Sequence, residues 1–278
     1  MASIADVAVA GGGWSDAALS VLHGDGVVLV RGLISPEKVE ELNRELLRAF
    51  DLVRAEVGSE KLVTAGESGV VRAPLNFSQE FLDLAANPTV LAVVEEIVGP
   101  ASILHLQNGF VLEPADRQVV LSSEVFQGKW HRDFPRYTGS VPLSVNVFWP
   151  LTSFTKETGA TEFLLGSHLS EAEMERHLET CDTAVANAEP GDALIFDSTI
   201  WHRAGVNTSE SPRLAVNHQY TFAWIKQQMD LSRLLGDAHV DSLPDRSRQL
   251  LGYFSRVPPS YDKFYAKPEE RFYRSGQG

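Results

Sequence analysis

Gly191-Asp192-Ala193-Leu194-Ile195-Phe196-Asp197-Ser198-Thr199-Ile200-Trp201-His202 reads as one short apolar strand between turn formers. Four apolar residues are too few for a helix that must bury a face. Gly191-Asp192 before them and Asp197-Ser198-Thr199 after them are residues that satisfy local backbone groups in turns. The same pattern recurs on both sides. Ile103 to Leu112, Leu143 to Trp149, Thr161 to Leu165 and Leu214 to Phe222 are alternating or apolar runs separated by Gly, Pro, Ser and Thr. Many short strands with frequent turn signals predict a β sandwich or barrel.

Upstream of residue 100 the pattern changes. Residues 27–31 read as a buried strand. Ser35-Pro36 then opens a helix: a serine hydroxyl caps free N–H groups, and proline fits the first turn. Val39, Leu42, Leu46, Phe50 and Val53 follow at spacings of three and four, which makes one apolar face. A second helical region from about Ser78 to Val98 breaks at Asn87-Pro88 and stops at Gly99-Pro100. Gly11-Gly12-Gly13 marks the end of a loose N-terminal arm. From Ile225 onward the chain is mixed and charged, and it reads as a wrapping segment. The expected organisation is one domain over 1–278: a helical flank at 1–100, a β core at 101–224 and a C-terminal wrap at 225–278. Helices first and strands later give a mostly β fold with flanking helices.

Bulk properties narrow the function. The 278 residues carry a formal net charge of -13, with 37 acidic against 24 basic side chains. Such a surface offers no footprint for nucleic acid or anionic lipid. Cys181 is the single cysteine, so no internal disulfide or paired-cysteine metal site exists. No run approaches the roughly 18 apolar residues of a membrane span. Residues 1–21 lack the basic and apolar regions of a signal peptide. The expectation is a cytoplasmic protein, monomer or homodimer, acting on a small molecule.

Chemistry concentrates in Trp130-His131-Arg132-Asp133. In extended backbone, positions i and i+2 share a side, so His131 and Asp133 are able to hold one metal ion and Arg132 points away. An HxD tripeptide alone is weak. His202, just past the Ala193–Phe196 strand, is placed to be a third ligand, and Arg213 begins the next strand. Two imidazoles and a carboxylate leave open positions on an octahedral ion, which suits non-haem Fe(II) better than structural zinc. A guanidinium grips a carboxylate in a bidentate fork.

Four features in this order resemble the phytanoyl-CoA dioxygenase family of Fe(II)/2-oxoglutarate oxygenases. They are the strand and two helices before the β core, and His131-Arg132-Asp133. Next comes Glu157-Thr158-Gly159-Ala160-Thr161-Glu162-Phe163-Leu164-Leu165-Gly166-Ser167-His168. The last is the Gly191–Asp197 run followed by His202, Asn207 and Arg213. Leu165 stands where that family has proline, a difference in a turn. The resemblance implies a double-stranded β-helix, a cupin-like jelly roll. It implies Fe(II) on His131, Asp133 and His202, with 2-oxoglutarate and O2 as co-substrates. Arg213 would take the distal carboxylate of 2-oxoglutarate and Thr161 would help to hold it. Trp149 would pack beside it, and Gln107 and Gln127 would face the cavity. The implied reaction is hydroxylation of a small organic molecule, such as a secondary metabolite, with desaturation, epoxidation or rearrangement as variants. A jelly-roll hydrolase or isomerase on another metal is the competing class.

The remaining histidines and acids have plainer readings. His168 belongs to a turn. His105 and His218 are hydrogen-bonded strand residues. Asp192 and Asp197 serve turns, and Trp130 and Trp201 pack behind the ligands. Lys129, Arg132, Arg136 and Tyr137 form a basic group around the motif, read as ordinary ion pairing or as a landing place for an anionic substrate.

Overall fold

The computed structural model describes residues 2–10, 12–116, 127–134, 137–139 and 141–277. Among these residues two sheets face each other. The larger has seven strands in the order β2 (Asp6–Ala8), β3 (Val27–Arg31), β9 (Ala193–Asp197), β6 (Ser144–Pro150), β11 (Arg213–Thr221), β5 (Ile103–Leu112) and β4 (Val70–Arg72). The smaller has β1 (Ala2–Ser3), β8 (Thr183–Val185), β7 (Glu162–Leu164) and β10 (His202–Arg203). Strand neighbours are far apart in sequence and mostly antiparallel, as in a jelly roll.

Alternation along the strands sorts side chains into two cores. Val27, Leu29, Phe148, Leu194, Phe196 and Ala215 point inward and meet Phe154 and Phe163 between the sheets. Val28, Val30, Val147, Trp149, Ile195, Val216 and Tyr220 point outward into a second cluster with the helices. Helix α1 (Pro36–Val57) brings Leu42, Leu46, Ala49 and Phe50 to that cluster, and Ser35 caps the helix by accepting from the Lys38 N–H at 3.3 Å. The second helical region is split as its sequence predicts, into α2 (Gln79–Ala85) and α3 (Pro88–Val98), with Asn87 capping the latter. Burial of these faces supplies the main driving force, about 25 cal/mol per Å² of apolar surface.

One feature differs from the sequence reading. The N-terminal arm is not loose: β1 pairs with β8 and β2 with β3, both parallel, so the first residues join both sheets. The stretch 1–100 is therefore more than a helical flank. Residues of the C-terminal stretch bond to the start of β5 and to the turn before it. Gln228 N–H donates to the His105 carbonyl at 3.1 Å, and Gln249 Nε2 to the Ala101 carbonyl at 2.8 Å. No helix among the described residues is long and apolar enough to cross a membrane.

Candidate metal centre

His131 and His202 meet as an isolated antiparallel bridge. Each backbone N–H donates to the other's carbonyl at 3.0 Å, which brings the ring centroids to 4.3 Å. His131 Nδ1 lies 2.9 Å from the Lys129 carbonyl, and His202 Nδ1 lies 3.0 Å from that of Ile200. A carbonyl only accepts, so each Nδ1 carries the hydrogen and each Nε2 presents a lone pair. Asp133 completes the group. Its Oδ1 is 3.7 Å from His131 Nε2 and its Oδ2 is 3.7 Å from His202 Nε2. These are too long for hydrogen bonds. One ligand atom from each of the three lies within 4.8 Å of the others.

The donor set fits a divalent cation. His131 Nε2 is buried without a hydrogen-bond partner, an arrangement that costs free energy unless something is bound there. Burial is the largest influence on His202: it lowers the pKa against the opposing pull of Asp133, and so favours the neutral, ligating form. The tryptophans beside the ligands are held from behind. The Arg203 guanidinium lies 4.6 Å from the Trp130 ring centre and pairs with Glu162, while Arg132 lies 4.8 Å from that of Trp201. Arg132 points away from the cavity, as alternation requires, and donates to the Ser167 and Ser170 carbonyls. It is thus tied to backbone carbonyls, with the charges of Asp197, Glu173 and Glu171 acting on it as well. Arg136 of the same basic group lies outside the described residues.

Arg213 shares the cavity with His131, Asp133 and His202, together with Thr161, Gln127, Asn108 and Asn217. Its guanidinium donates to the Gly159 carbonyl and sits 4.5 Å from the Phe154 ring centre. Only 4% of the residue is exposed, Nε has no partner, and burial alone pushes its pKa down to about 9. Among the described residues no carboxylate pairs with it, yet it remains a cation at neutral pH. Gly159 makes this contact possible. Its φ of +74° suits glycine, and a Cβ there would stand 2.7 Å from the Asn207 nitrogen.

The sequence-derived site residues divide. His131, Asp133, His202, Arg213, Thr161 and Gln127 line one cavity, although Gln127 does so from a turn, with φ of +52°, and not from a strand. Trp149 does not. On β6 it is Phe148 that faces the cavity, so Trp149 turns outward and its Nε1 donates to His218 Nδ1 at 3.2 Å. Gln107 also faces outward. Its Oε1 accepts from the Leu75 N–H at 2.7 Å and its Nε2 donates to the Phe81 carbonyl at 2.9 Å, which ties both ends of the amide to backbone. Asn108 and Asn217 are cavity residues that the sequence reading missed. Asn217 was findable: four residues after Arg213 on one strand, it shares that residue's side.

The plainer readings fit their surroundings. His168 packs against Gly26, where an added Cβ would come within 2.5 Å of its Nδ1. Asp192 accepts from the Gly32 N–H and from Arg31, and Asp197 from Thr199. His218 is fully buried, and burial lowers its pKa to about 3.

A jelly roll with two histidines and a carboxylate converging inside it is the frame of the mononuclear non-haem iron oxygenases. The profile of the phytanoyl-CoA dioxygenase family matches residues 22–215, and the chain belongs to that family. Its members are iron- and 2-oxoglutarate-dependent dioxygenases. The uncharacterized protein Rv1501 of Mycobacterium tuberculosis is 39% identical over 254 residues, covering 91% of this chain and 92% of that one. Dioxygenase olcK of Penicillium canescens is 26% identical, covering 84% of this chain and 78% of that one. The solved structure of SnoN, a non-heme alpha ketoglutarate dependent epimerase from nogalamycin biosynthesis, superposes with a TM-score of 0.57 at 18% identity. It covers 74% of this chain and 82% of that one.

Proposed function

We propose that this protein oxidises a C–H bond of a small organic molecule, with 2-oxoglutarate and O2 consumed and succinate and CO2 released. In this reading His131, Asp133 and His202 hold Fe(II), which supplies the O2-activating chemistry when bound. Arg213 anchors the distal carboxylate of 2-oxoglutarate, with the Thr161 hydroxyl on the same side. Gln127 borders the cavity beside His131. Hydroxylation balances simply: one atom of O2 enters the substrate C–H bond as a hydroxyl, and the other enters succinate.

The observation that carries the reading is Arg213. A buried cation without a carboxylate partner among the described residues is costly. Placed on the cavity that holds the His-Asp-His group, it asks for a dianionic co-substrate rather than a metal alone. A jelly-roll hydrolase or isomerase on another metal would leave that guanidinium without use. The test is anaerobic addition of Fe(II) and 2-oxoglutarate to the purified protein. A weak visible charge-transfer band, followed by succinate formation on admitting O2, supports the proposal. Metal binding with no band and no succinate would hand the site to the other class.

A further inference from the structure

We propose that Asn108 and Asn217 form a hydroxyl-reading pair, so that the substrate is a neutral molecule with an apolar body and an alcohol group held beside the metal position. The inference rests on the oxygenase reading above and adds the chemistry of what is oxidised.

The two residues are direct cross-strand partners on β5 and β11, and both line the cavity of the His-Asp-His group. They are 5% and 6% exposed. Each amide has one end committed elsewhere. Asn108 Oδ1 accepts from Arg72 Nη1 at 3.1 Å, and Arg72 is itself paired with Glu67. A guanidinium has donors only, so the Asn108 oxygen must face Arg72 and its NH2 group is turned the other way. Asn217 Nδ2 donates to Asn146 Oδ1 at 2.9 Å, and Asn146 Nδ2 donates to Ser198 Oγ at 2.7 Å. Ser198 in turn donates to Ser144 Oγ at 2.8 Å, which also accepts from Gln219 at 2.9 Å. This network leaves Asn217 Oδ1 buried and without a partner among the described residues.

The outcome is a donor and an acceptor side by side, both neutral and both fixed from behind. An ionised carboxylate meets only the donor and is repelled by the Asn217 oxygen. A ketone also uses only the donor, and an ammonium only the acceptor. A hydroxyl uses both. Around the pair stand Leu106, Phe110, Phe148 and Phe196, which suit a hydrocarbon frame. A site built to satisfy an OH group discriminates strongly against analogues lacking it, because its own buried polar atoms are otherwise left unpaired.

The test uses the full chain loaded with Mn(II) in place of iron and with 2-oxoglutarate. Cyclohexanol and cyclohexanone serve as probes, and paramagnetic relaxation of their protons reports binding close to the metal. Cyclohexanol should bind about tenfold more tightly than cyclohexanone, the ratio that one net hydrogen bond supports. Asn217→Leu should erase that preference while Mn(II) and 2-oxoglutarate affinities hold. Arg72→Met, at a half-exposed position that tolerates change, releases the Asn108 amide and should cut the preference severalfold even where Asn217→Leu fails to fold. Equal relaxation of alcohol and ketone in the unaltered protein overturns the inference, as does a preference that survives either variant. A loss of 2-oxoglutarate affinity without a change in alcohol preference assigns the pair to the co-substrate and also overturns it. Absence of Mn(II) binding sinks the oxygenase reading itself, and is told apart because neither probe is then relaxed at all.

Discussion

The two faces of β11 place the same kinds of side chain in opposite roles. Inward stand Arg213, Ala215, Asn217 and Gln219; outward stand Leu214, Val216, His218 and Tyr220. His218 on the outer face and His202 at the cavity are both deeply buried, and burial lowers the pKa of both. They differ in what their nitrogens meet. His218 Nδ1 accepts from Trp149, and the Tyr220 hydroxyl lies 3.4 Å away. His202 gives Nδ1 to a carbonyl and aims Nε2 at Asp133 and His131. A buried histidine is therefore no sign of a metal centre. Convergence of lone pairs on one point is the sign.

The comparison yields a ranked set of expectations. His202→Ala should hit hardest. Losing a residue that merely supports a ligand costs about 10- to 100-fold in metal affinity or activity, so losing a ligand should exceed that in succinate formation and in Fe(II) binding. Retained activity would place the metal elsewhere. Arg213→Met should raise the 2-oxoglutarate KM by about 10- to 100-fold, the worth of a charge-assisted hydrogen bond of about 1.5–3 kcal/mol. An unchanged KM would break the assignment of the inner face.

On the outer face the expected effects concern stability. The folded pKa of His218 lies at about 3, below its usual 6.5. A base with a depressed folded pKa contributes fully above its unfolded pKa, and that contribution is lost as pH falls from about 6.5 towards 3. In that window the ring costs up to about 1.4 kcal/mol per pH unit. A His218→Gln variant should show a flatter loss of Tm between pH 6.5 and 4.5. The same slope as the parent would mean that another group drives acid unfolding. Gln107→Leu strands the Leu75 N–H and the Phe81 carbonyl and should cost about 1–3 kcal/mol in denaturant unfolding. Trp149→Phe takes the indole donor from His218 Nδ1 and opens a void in the core, about 1–3 kcal/mol, and leaves the 2-oxoglutarate KM as it was. A shifted KM in either of these last two would mean that the faces are assigned the wrong way round.

Much of this was legible in the residues. Ser35-Pro36, Asn87-Pro88 and the short apolar runs mark local chemistry that the fold obeys. The ligand spacing of His131 and Asp133 follows from extended backbone. The facing of Trp149 and Gln107 was not legible, for a physical reason. Every residue of β6 is buried, so its pattern does not separate the two faces. Strand β5 carries a register shift where Leu104 and Leu106 pair with Tyr220 and Gln219, which defeats counting from its start. The pairing of β1 with β8 was equally hidden, because two residues carry too little pattern to announce a strand.

The bridge between His131 and His202 has a use beyond geometry. The two amide protons that hold it sit directly on the proposed ligands, so an occupied site clamps them from the side-chain end as well. Their deuterium uptake becomes a gauge of occupancy that needs neither substrate nor oxygen: slow when a cation is held, faster once a chelator has stripped it.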